Sequence, residues 1–261
     1  MSLIAINWNL DPVLCRIGGQ DIRWYSVMFV CSILWGWFFA RWVARREGVS
    51  AEVYVPLLFW LLAGFYVGGK LGNRLFYSTG SFGGFSSFGA AIGLFLVFWL
   101  FSMTTGRRNG ISFLWLLDRF MPCGIIACVP VRIGNFCNSE LVGTPTDLSC
   151  GVIFERAGEI MARHPVQLYE AAVFLVMGIL TIRLYKKQGN KLPSGFIAGL
   201  SIIAVALVRF LLEFVKESKK NIDFGSVSLH TAQILCIPLF IFGMCILFYA
   251  LRRPVEGNQS Q

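Results

Sequence analysis

The chain has 261 residues, of which 56% are apolar, 15% are aromatic and only 14% are charged, and its formal net charge is +9. Soluble domains average about 25% charged residues, so this composition excludes an ordinary soluble domain and favours an integral membrane protein. The basic excess lies in short clusters that flank apolar segments, which is typical of membrane topology and argues against a nucleic-acid partner.

Apolar segments of about 20 residues are long enough to cross a bilayer, and they recur along the whole chain. They predict an all-α integral membrane fold of about seven transmembrane helices, arranged as a single polytopic membrane domain over residues 1–261 without internal repeats. The predicted spans cover residues 24–42, 53–68, 88–103, 111–130, 166–185, 195–215 and 229–251.

Basic pairs indicate the orientation, because arginine and lysine are enriched in cytoplasmic connections. Each pair follows an odd-numbered span, which places the N-terminus outside and the C-terminus in the cytoplasm. Lys216, Lys219 and Lys220 run against this pattern. The pairs are Arg45-Arg46, Arg107-Arg108, Lys186-Lys187 and Arg252-Arg253.

The longest connection, at residues 131–165, joins the fourth and fifth predicted spans. It is rich in glycine, proline and aspartate, and long connections of this kind are usually functional. With the orientation above, it predicts a small extracytoplasmic cap.

Cysteine and histidine are the usual ligands of a zinc site, and their positions argue against one here. The eight cysteines form no C-x-x-C pair, and the two histidines lie far apart, so the sequence predicts no metal site. Pairing of Cys137 with Cys150 outside the membrane is left open.

One polar run stands out at the end of the fourth predicted span. Arg132, Asn135 and Asn138 are spaced by three, so a helical turn would align them on one face, and Glu140 follows closely. Gly134 would let a backbone or a ligand approach. A guanidinium beside carboxamides suits a phosphate-bearing ligand. The alternative is a capped helix end from which Arg132 reaches lipid headgroups.

Polar residues also occur in the fifth and sixth predicted spans. Arg209 and Glu213 are four residues apart, which fits either an intrahelical ion pair or a second cation in the same cavity. Gln167 and Glu170 share one face at the start of the fifth span, where they could serve a helix mouth or a reaction. His164 is more typical of a solvated interfacial histidine than of a base.

Glycine is dense at residues 68–72 and 80–93. No phosphate-loop motif is present, so a nucleotide site is excluded there. Close helix packing and re-entrant backbone are the better interpretations.

The run V-R-I-G-N-F-C-N-S-E-L-V-G at residues 131–143 resembles the signature G-R-x-G-N-F-x-N-x-E-x-x-G of prolipoprotein diacylglyceryl transferases, and it departs only at Val131. The resemblance covers nearly the whole chain, and the family's seven-span, N-out topology agrees with the count above. Further similar stretches lie at residues 22–25, 69–77 (with Lys70 for arginine), 163–170, 209–213 and 233–235, and at Asp118 and Pro122.

The resemblance implies an enzyme of the bacterial cytoplasmic (inner) membrane that performs the first step of lipoprotein maturation. Its partners would be phosphatidylglycerol, preprolipoprotein signal peptides with a lipobox cysteine, and membrane lipids. It would move the diacylglyceryl group onto the cysteine thiol as a thioether and release glycerol phosphate, without a metal or organic cofactor. The resemblance implies catalytic roles for Arg132, Arg209 and Glu140. It implies substrate-binding roles for Asn135, Asn138, Gly143, Tyr25, Gln167, Glu170 and Glu213.

Two positions depart from the family pattern. Phe88 stands where the family's S-x-H-G-G stretch has histidine, and Val205 stands where a tyrosine is frequent. The acceptor of the thiol proton is therefore open between His164, Glu140, water and spontaneous ionisation of the thiol. A divergent, non-catalytic paralog that binds phospholipid or lipoprotein signal peptides is the alternative function. A transporter is disfavoured because no inverted repeat is visible.

Overall fold

A computed structural model of the chain describes residues 5–77, 84–189, 191–217, 221–224 and 227–253. Seven helices in this part are long and apolar enough to cross a membrane, which confirms the predicted number of spans and the all-α membrane class. The helices are α1 Trp24–Glu47, α2 Ala51–Tyr77, α3 Ser87–Phe101, α4 Phe113–Cys137, α5 Val166–Gln188, α6 Phe196–Leu212 and α7 Thr231–Leu251.

Short strands lie in the connections and before α1. They form three two-stranded pairings: β1 with β4 is parallel, whereas β2 with β3 and β5 with β6 are antiparallel. The sequence did not predict these strands, because three to five residues are too few for a clear alternation of polar and apolar positions. They are β1 Ile6–Trp8, β2 Val13–Ile17, β3 Gln20–Arg23, β4 Val152–Phe154, β5 Asn221–Phe224 and β6 Val227–His230.

Glycines set the spacing between α2 and α3. A Cβ added to Gly68 would lie 2.9 Å from the Cα of Gly93, and a Cβ on Gly64 would lie 2.9 Å from the Gly93 carbonyl oxygen. The two backbones therefore touch, as small-residue interfaces in membranes allow. This confirms the close-packing interpretation of the glycine-dense stretches; residues 80–83 of the second stretch lie outside the described residues.

Helix α4 is the central element, since it packs against α1, α5 and α6. The buried Asp118 carboxylate accepts hydrogen bonds from the backbone nitrogens of Gly195 (2.6 Å) and Ala198 (2.8 Å). An acidic side chain that receives these otherwise unpaired N–H groups caps α6 and matches the positive end of its dipole. The contact fixes the start of α6 against the first turns of α4.

The end of α4 corrects the predicted boundary. The fourth predicted span stopped at Pro130, whereas α4 continues to Cys137, so the connection predicted from residue 131 begins at Asn138. Proline removes one backbone donor but does not end a membrane helix whose neighbours pack around it. Arg132 and Asn135 thus lie on the last two turns of the helix.

The connection between α4 and α5, residues 138–165, is called the cap segment below. It contains β4, and its Val142, Val152 and Phe154 form a hydrophobic cluster with Phe136 of α4, against which Trp8 packs. Isolated bridges tie Gly143 to Lys216 and residue 163 to residues 145 and 152. The cap segment is therefore anchored both to the N-terminal strand and to the end of α6.

Candidate active site

The centre of the site is a carboxylate that three cations share. Glu170, in the first turns of α5, has a side chain only 2% exposed, and its Oε2 lies 2.8 Å from Arg132 Nε of α4. Its Oε1 lies 3.1 Å from Arg209 Nη1 of α6 and 3.5 Å from Lys216 Nζ just beyond α6. These four residues are called the Glu170 cluster below.

The cluster is rich in basic groups. Three basic side chains share the Glu170 carboxylate, and the arginine side chains are only 11% and 12% exposed. Buried charges are costly unless they are neutralised, so basic side chains gathered in one place favour anionic groups there. Guanidinium groups bind phosphate oxygens through two parallel hydrogen bonds, and two of them are present.

A hydrogen-bonded chain continues from the cluster along the signature. Arg132 Nη1 donates to Asn135 Oδ1 at 3.1 Å, and Asn135 Nδ2 donates to Glu140 Oε1 at 2.8 Å. Gln167 Nε2 of α5 donates to the backbone oxygen of Glu140 at 2.6 Å. The i, i+3 spacing of Arg132 and Asn135 on α4 therefore has the predicted effect of placing both on one face.

The backbone around Glu140 is unusual. Ser139 and Leu141 have φ values of 54° and 60°, in the left-handed region that side chains rarely adopt. Such conformations persist where the surroundings hold them, and they occur often at functional sites. The turn brings Glu140 back toward Asn135 rather than away from α4.

Two glycines of the signature permit close approach. A Cβ on Gly134 would lie 3.1 Å from the Cα of Tyr25, so this glycine lets the start of α1 contact α4 beside the cluster. A Cβ on Gly143 would lie 2.6 Å from the His164 Cβ and from the Val215 oxygen. Gly143 therefore sits where the cap segment crosses the end of α6.

Two of the predicted site residues lie beside the cluster rather than in it. Asn138 follows α4, and its buried Oδ1 has no hydrogen-bond partner among the described residues. Glu213 is buried, and its Oε1 lies 3.8 Å from His230 Nδ1. The structure thus joins Arg132, Arg209, Glu170, Asn135, Glu140 and Gln167 directly, with Tyr25 and Gly143 adjacent.

Lys216 is a site residue that the sequence interpretation missed, because it was counted only as a loop charge in the topology. Arg209, Glu213 and Lys216 are spaced by four and three, the spacing of one helical face, and that pattern could have identified it. Burial is the largest cause that lowers the pKa of Lys216 to about 8. The Glu170 carboxylate opposes the shift, and the Arg209 and Arg132 guanidiniums add to it.

Phe88 also faces the site, since its ring centroid lies 5.7 Å from Arg209 Cζ. The position at which the family resemblance leads one to expect histidine is therefore next to the cluster, and here it supplies an apolar ring. The ring can shield a guanidinium from water and interact with its charge, but it cannot take a proton.

Arg163 connects the cap segment to the end of α6. Its Nε lies 2.6 Å from Glu159 Oε2, its Nη1 lies 3.3 Å from Glu217 Oε1, and Nη1 also donates to the Gly143 oxygen at 3.2 Å. The hydrogen bond with Glu159 is the main cause that raises the pKa of Arg163. The guanidinium thus keeps its charge and holds the signature loop in place.

No disulfide joins the cysteines of the described residues. Cys137 and Cys150 are both free, and Cys150 Sγ lies 3.3 Å from the Tyr169 hydroxyl. The described residues hold no group of three or more His, Cys, Asp or Glu side chains that could bind a metal ion.

Comparison with known proteins places these features in a family context. Residues 12–249 match the family model described as prolipoprotein diacylglyceryl transferase. The phosphatidylglycerol–prolipoprotein diacylglyceryl transferase of Tolumonas auensis is 33% identical over 258 residues, which cover 94% of this chain and 97% of the relative. The enzymes of the same name from Bacteroides fragilis and Porphyromonas gingivalis are 30% and 32% identical over 95% and 100% of this chain, and over 96% and 100% of their own lengths.

Proposed function

This chain belongs to the prolipoprotein diacylglyceryl transferase family, and from that premise we propose that it moves the diacylglyceryl group of phosphatidylglycerol onto the thiol of a lipobox cysteine. The products are a thioether-linked preprolipoprotein and glycerol phosphate. Family membership and the seven apolar helices make the chain a multi-pass membrane transferase.

One observation carries the proposal: Arg132 and Arg209 come from different helices and hold the two oxygens of the same Glu170 carboxylate. The two guanidiniums can therefore engage one anionic group together. The phosphodiester of phosphatidylglycerol offers two non-bridging oxygens with a similar arrangement, which both guanidiniums could bind.

The same geometry supports catalysis. When sulfur attacks the terminal glycerol carbon of the diacylglyceryl group, the bond from that carbon to the phosphate ester oxygen breaks and negative charge gathers on the phosphate. Fixed donors in a water-poor site stabilise such charge better than water does, and one donor is typically worth about 3 kcal/mol of barrier. Arg132 and Arg209 are assigned this role.

The headgroup site is assigned to the chain of polar residues beside the cluster. Asn135, Glu140 and Gln167 are linked by hydrogen bonds and suit the hydroxyls of a glycerol headgroup. Tyr25, Asn138, Gly143 and Glu213 are assigned supporting positions around them.

The two ends of α5 indicate the membrane face on which the Glu170 cluster lies. Glu170 lies near its N-terminus, whereas Lys186 and Lys187 lie in its last turn, and Arg45 and Arg46 lie in the last turn of α1. With basic residues in the cytoplasm, the cluster opens to the outer face of the bacterial cytoplasmic (inner) membrane and the N-terminus is outside. Secreted preprolipoproteins present their lipobox cysteine at that face.

The proposal is tested with Arg132→Ala in phosphatidylglycerol vesicles that contain a synthetic lipobox peptide. We expect transfer to the peptide and release of glycerol phosphate to fall by about 100-fold or more, because the developing phosphate charge loses a donor. Arg45→Ala, which removes an exposed arginine at the far end of α1, is the matched control and should keep wild-type rates. Full activity of Arg132→Ala would remove that residue from the mechanism.

The alternative function is a non-catalytic binder of phospholipid or signal peptides. The observation that favours it is Phe88, which stands where the family pattern has a histidine. The headgroup-release assay separates the two functions. A wild-type protein that binds phosphatidylglycerol vesicles but releases no glycerol phosphate is a binder, and complementation of a transferase-depleted strain would then fail as well.

A further inference from the structure

Lys216 is fixed at the centre of the site by its backbone. It pairs with Gly143 in an isolated antiparallel bridge, and the neighbouring Thr144 nitrogen donates to the Val215 oxygen at 3.0 Å. Its side chain is 9% exposed, and Nζ lies 3.5 Å from Glu170 Oε1. The amine is thus held inside the cluster, where bulk water does not surround it.

The charges that face Lys216 come from three helices and from the turn before it. Arg132 of α4 and Arg209 of α6 are positive, whereas Glu170 of α5 and Glu213 are negative. Each carboxylate has another partner: Glu170 is held by both guanidiniums, and Glu213 faces His230. The ammonium at this position shares its counter-ions with other groups and is removed from bulk water, which lowers the cost of losing its proton relative to an exposed lysine.

The other candidate positions either lack a basic atom or contact residues outside the set Glu170, Arg209 and Lys216. Phe88 presents a hydrocarbon ring to Arg209. His164 Nδ1 lies 3.3 Å from the Tyr169 hydroxyl, on the cap side of the site. Glu140 Oε1 accepts from Asn135. Lys216 is the group of the Glu170 cluster whose neutral form can take a proton.

We propose that Lys216 accepts the thiol proton of the attacking cysteine, an inference that rests on the transferase function proposed above. The neutral amine takes the proton from sulfur as sulfur bonds to the terminal glycerol carbon of the diacylglyceryl group. The bond between that carbon and the phosphate ester oxygen breaks, and its electron pair leaves on glycerol phosphate. The resulting ammonium stands beside the leaving dianion and returns its proton to water after the product departs.

The similar pKa values of Lys216 and a cysteine thiol support this role. Burial lowers the pKa of Lys216 to about 8, and a cysteine thiol ordinarily titrates near 8.5. Proton transfer between groups of similar pKa is nearly balanced, which is the efficient arrangement for a general base. As the pH falls below the pKa of Lys216 the ammonium dominates and cannot accept a proton, so the rate should rise with pH through that region.

The test compares Lys216→Arg with the wild-type protein on two synthetic lipobox peptides, one with cysteine and one with selenocysteine at the acceptor position. Arginine keeps the charge and fills the space, but it does not release its proton. With cysteine at pH ~7, we expect glycerol phosphate release from phosphatidylglycerol vesicles to fall by about 100-fold or more. With selenocysteine, which ionises at neutral pH without a base, both proteins should react at similar rates.

A pH series and a control complete the design. The defect of Lys216→Arg on the cysteine peptide should shrink as the pH is raised above ~8.5, because the thiol then ionises by itself. Lys187→Arg, an exposed lysine at the other end of α5, should match the wild type under all conditions.

The outcomes separate this inference from the proposed function. An active wild type together with a Lys216→Arg variant that is fast on cysteine, or equally slow on both peptides, overturns the role of Lys216 and leaves the transferase function standing. A wild type that releases no glycerol phosphate from either peptide overturns the transferase function and, with it, the base.

Discussion

At the scale of single residues, Glu170 is the position on which the others depend. Its two oxygens neutralise part of the charge of Arg132, Arg209 and Lys216, and its side chain is almost completely buried. An ion pair in such a place contributes little net stability, but removing one partner leaves uncompensated charge in a poor solvent. The carboxylate therefore holds the three basic side chains together.

The free energy of unfolding of Glu170→Gln tests whether Glu170 neutralises its basic neighbours. The change keeps the shape of the side chain and removes its charge, so the three buried basic groups lose the carboxylate that they share. We expect the free energy of unfolding in detergent to fall by about 3–5 kcal/mol. Glu52→Gln, at an exposed site in the first turn of α2, should change it by less than about 1 kcal/mol. Equal stabilities of the two variants would contradict a neutralising role for Glu170.

The residue scale also shows where sequence reasoning stopped. The spacing of Arg132 and Asn135 placed them correctly on one helical face. The signature pointed to Glu140, and the similar stretch at residues 163–170 pointed to Gln167. That Arg209 reaches Glu170, 39 positions away in the chain, depends on how α5 and α6 pack, which no local pattern encodes. Lys216 was missed because it follows the apolar segment and resembled an ordinary loop charge.

At the scale of elements, helices were predictable because each needs a long apolar run to span a bilayer. The end of α4 was not, because Pro130 and Arg132 both suggested an exit from the membrane. The helix continues since Arg132 is paired with Glu170 and since α1, α5 and α6 surround this stretch. Tertiary contacts outweighed a local signal there.

The α2–α3 interface gives the prediction at this scale. In Gly68→Ala the new methyl group would lie within 2.9 Å of the Gly93 Cα, so the helices must separate. We expect a loss of about 1–3 kcal/mol, measured as a lower unfolding midpoint in detergent. The matched control is Gly36→Ala in α1, where an added Cβ meets nothing within 4 Å. The control should gain up to about 1 kcal/mol from helix propensity. A Gly68→Ala variant as stable as this control would argue against backbone contact.

At the scale of the whole molecule, hydropathy and basic pairs predicted a seven-span protein and one orientation. The span number is confirmed. The orientation stays a prediction, because it is defined by which side of a membrane each connection faces. The site lies at the end of α4 and the start of α5, so the orientation decides which compartment can supply the acceptor cysteine. In the proposed reaction the acceptor proteins are secreted, so the site must lie at the outer face of the membrane.

Cysteine labelling in intact spheroplasts tests the orientation. In a variant that retains only Cys150, an exposed residue of the cap segment, a membrane-impermeant maleimide should react without permeabilisation. In a cysteine-free background, Arg108→Cys should react only after permeabilisation, because it follows the third span on the proposed cytoplasmic side. The reverse pattern would place the site in the cytoplasm.

The parallel pairing of β1 with β4 imposes an order on biogenesis. Strand β1 precedes α1 and its partner β4 follows α4, so four helices are synthesised between the two strands. In the orientation proposed above, β1 crosses the bilayer before β4 exists, and its backbone hydrogen-bonding groups stay open to water or to a chaperone until then. A nascent chain that carries only α1 to α3 therefore cannot form this pairing, and the contact that joins residues 6–8 to the cap segment is completed late in synthesis.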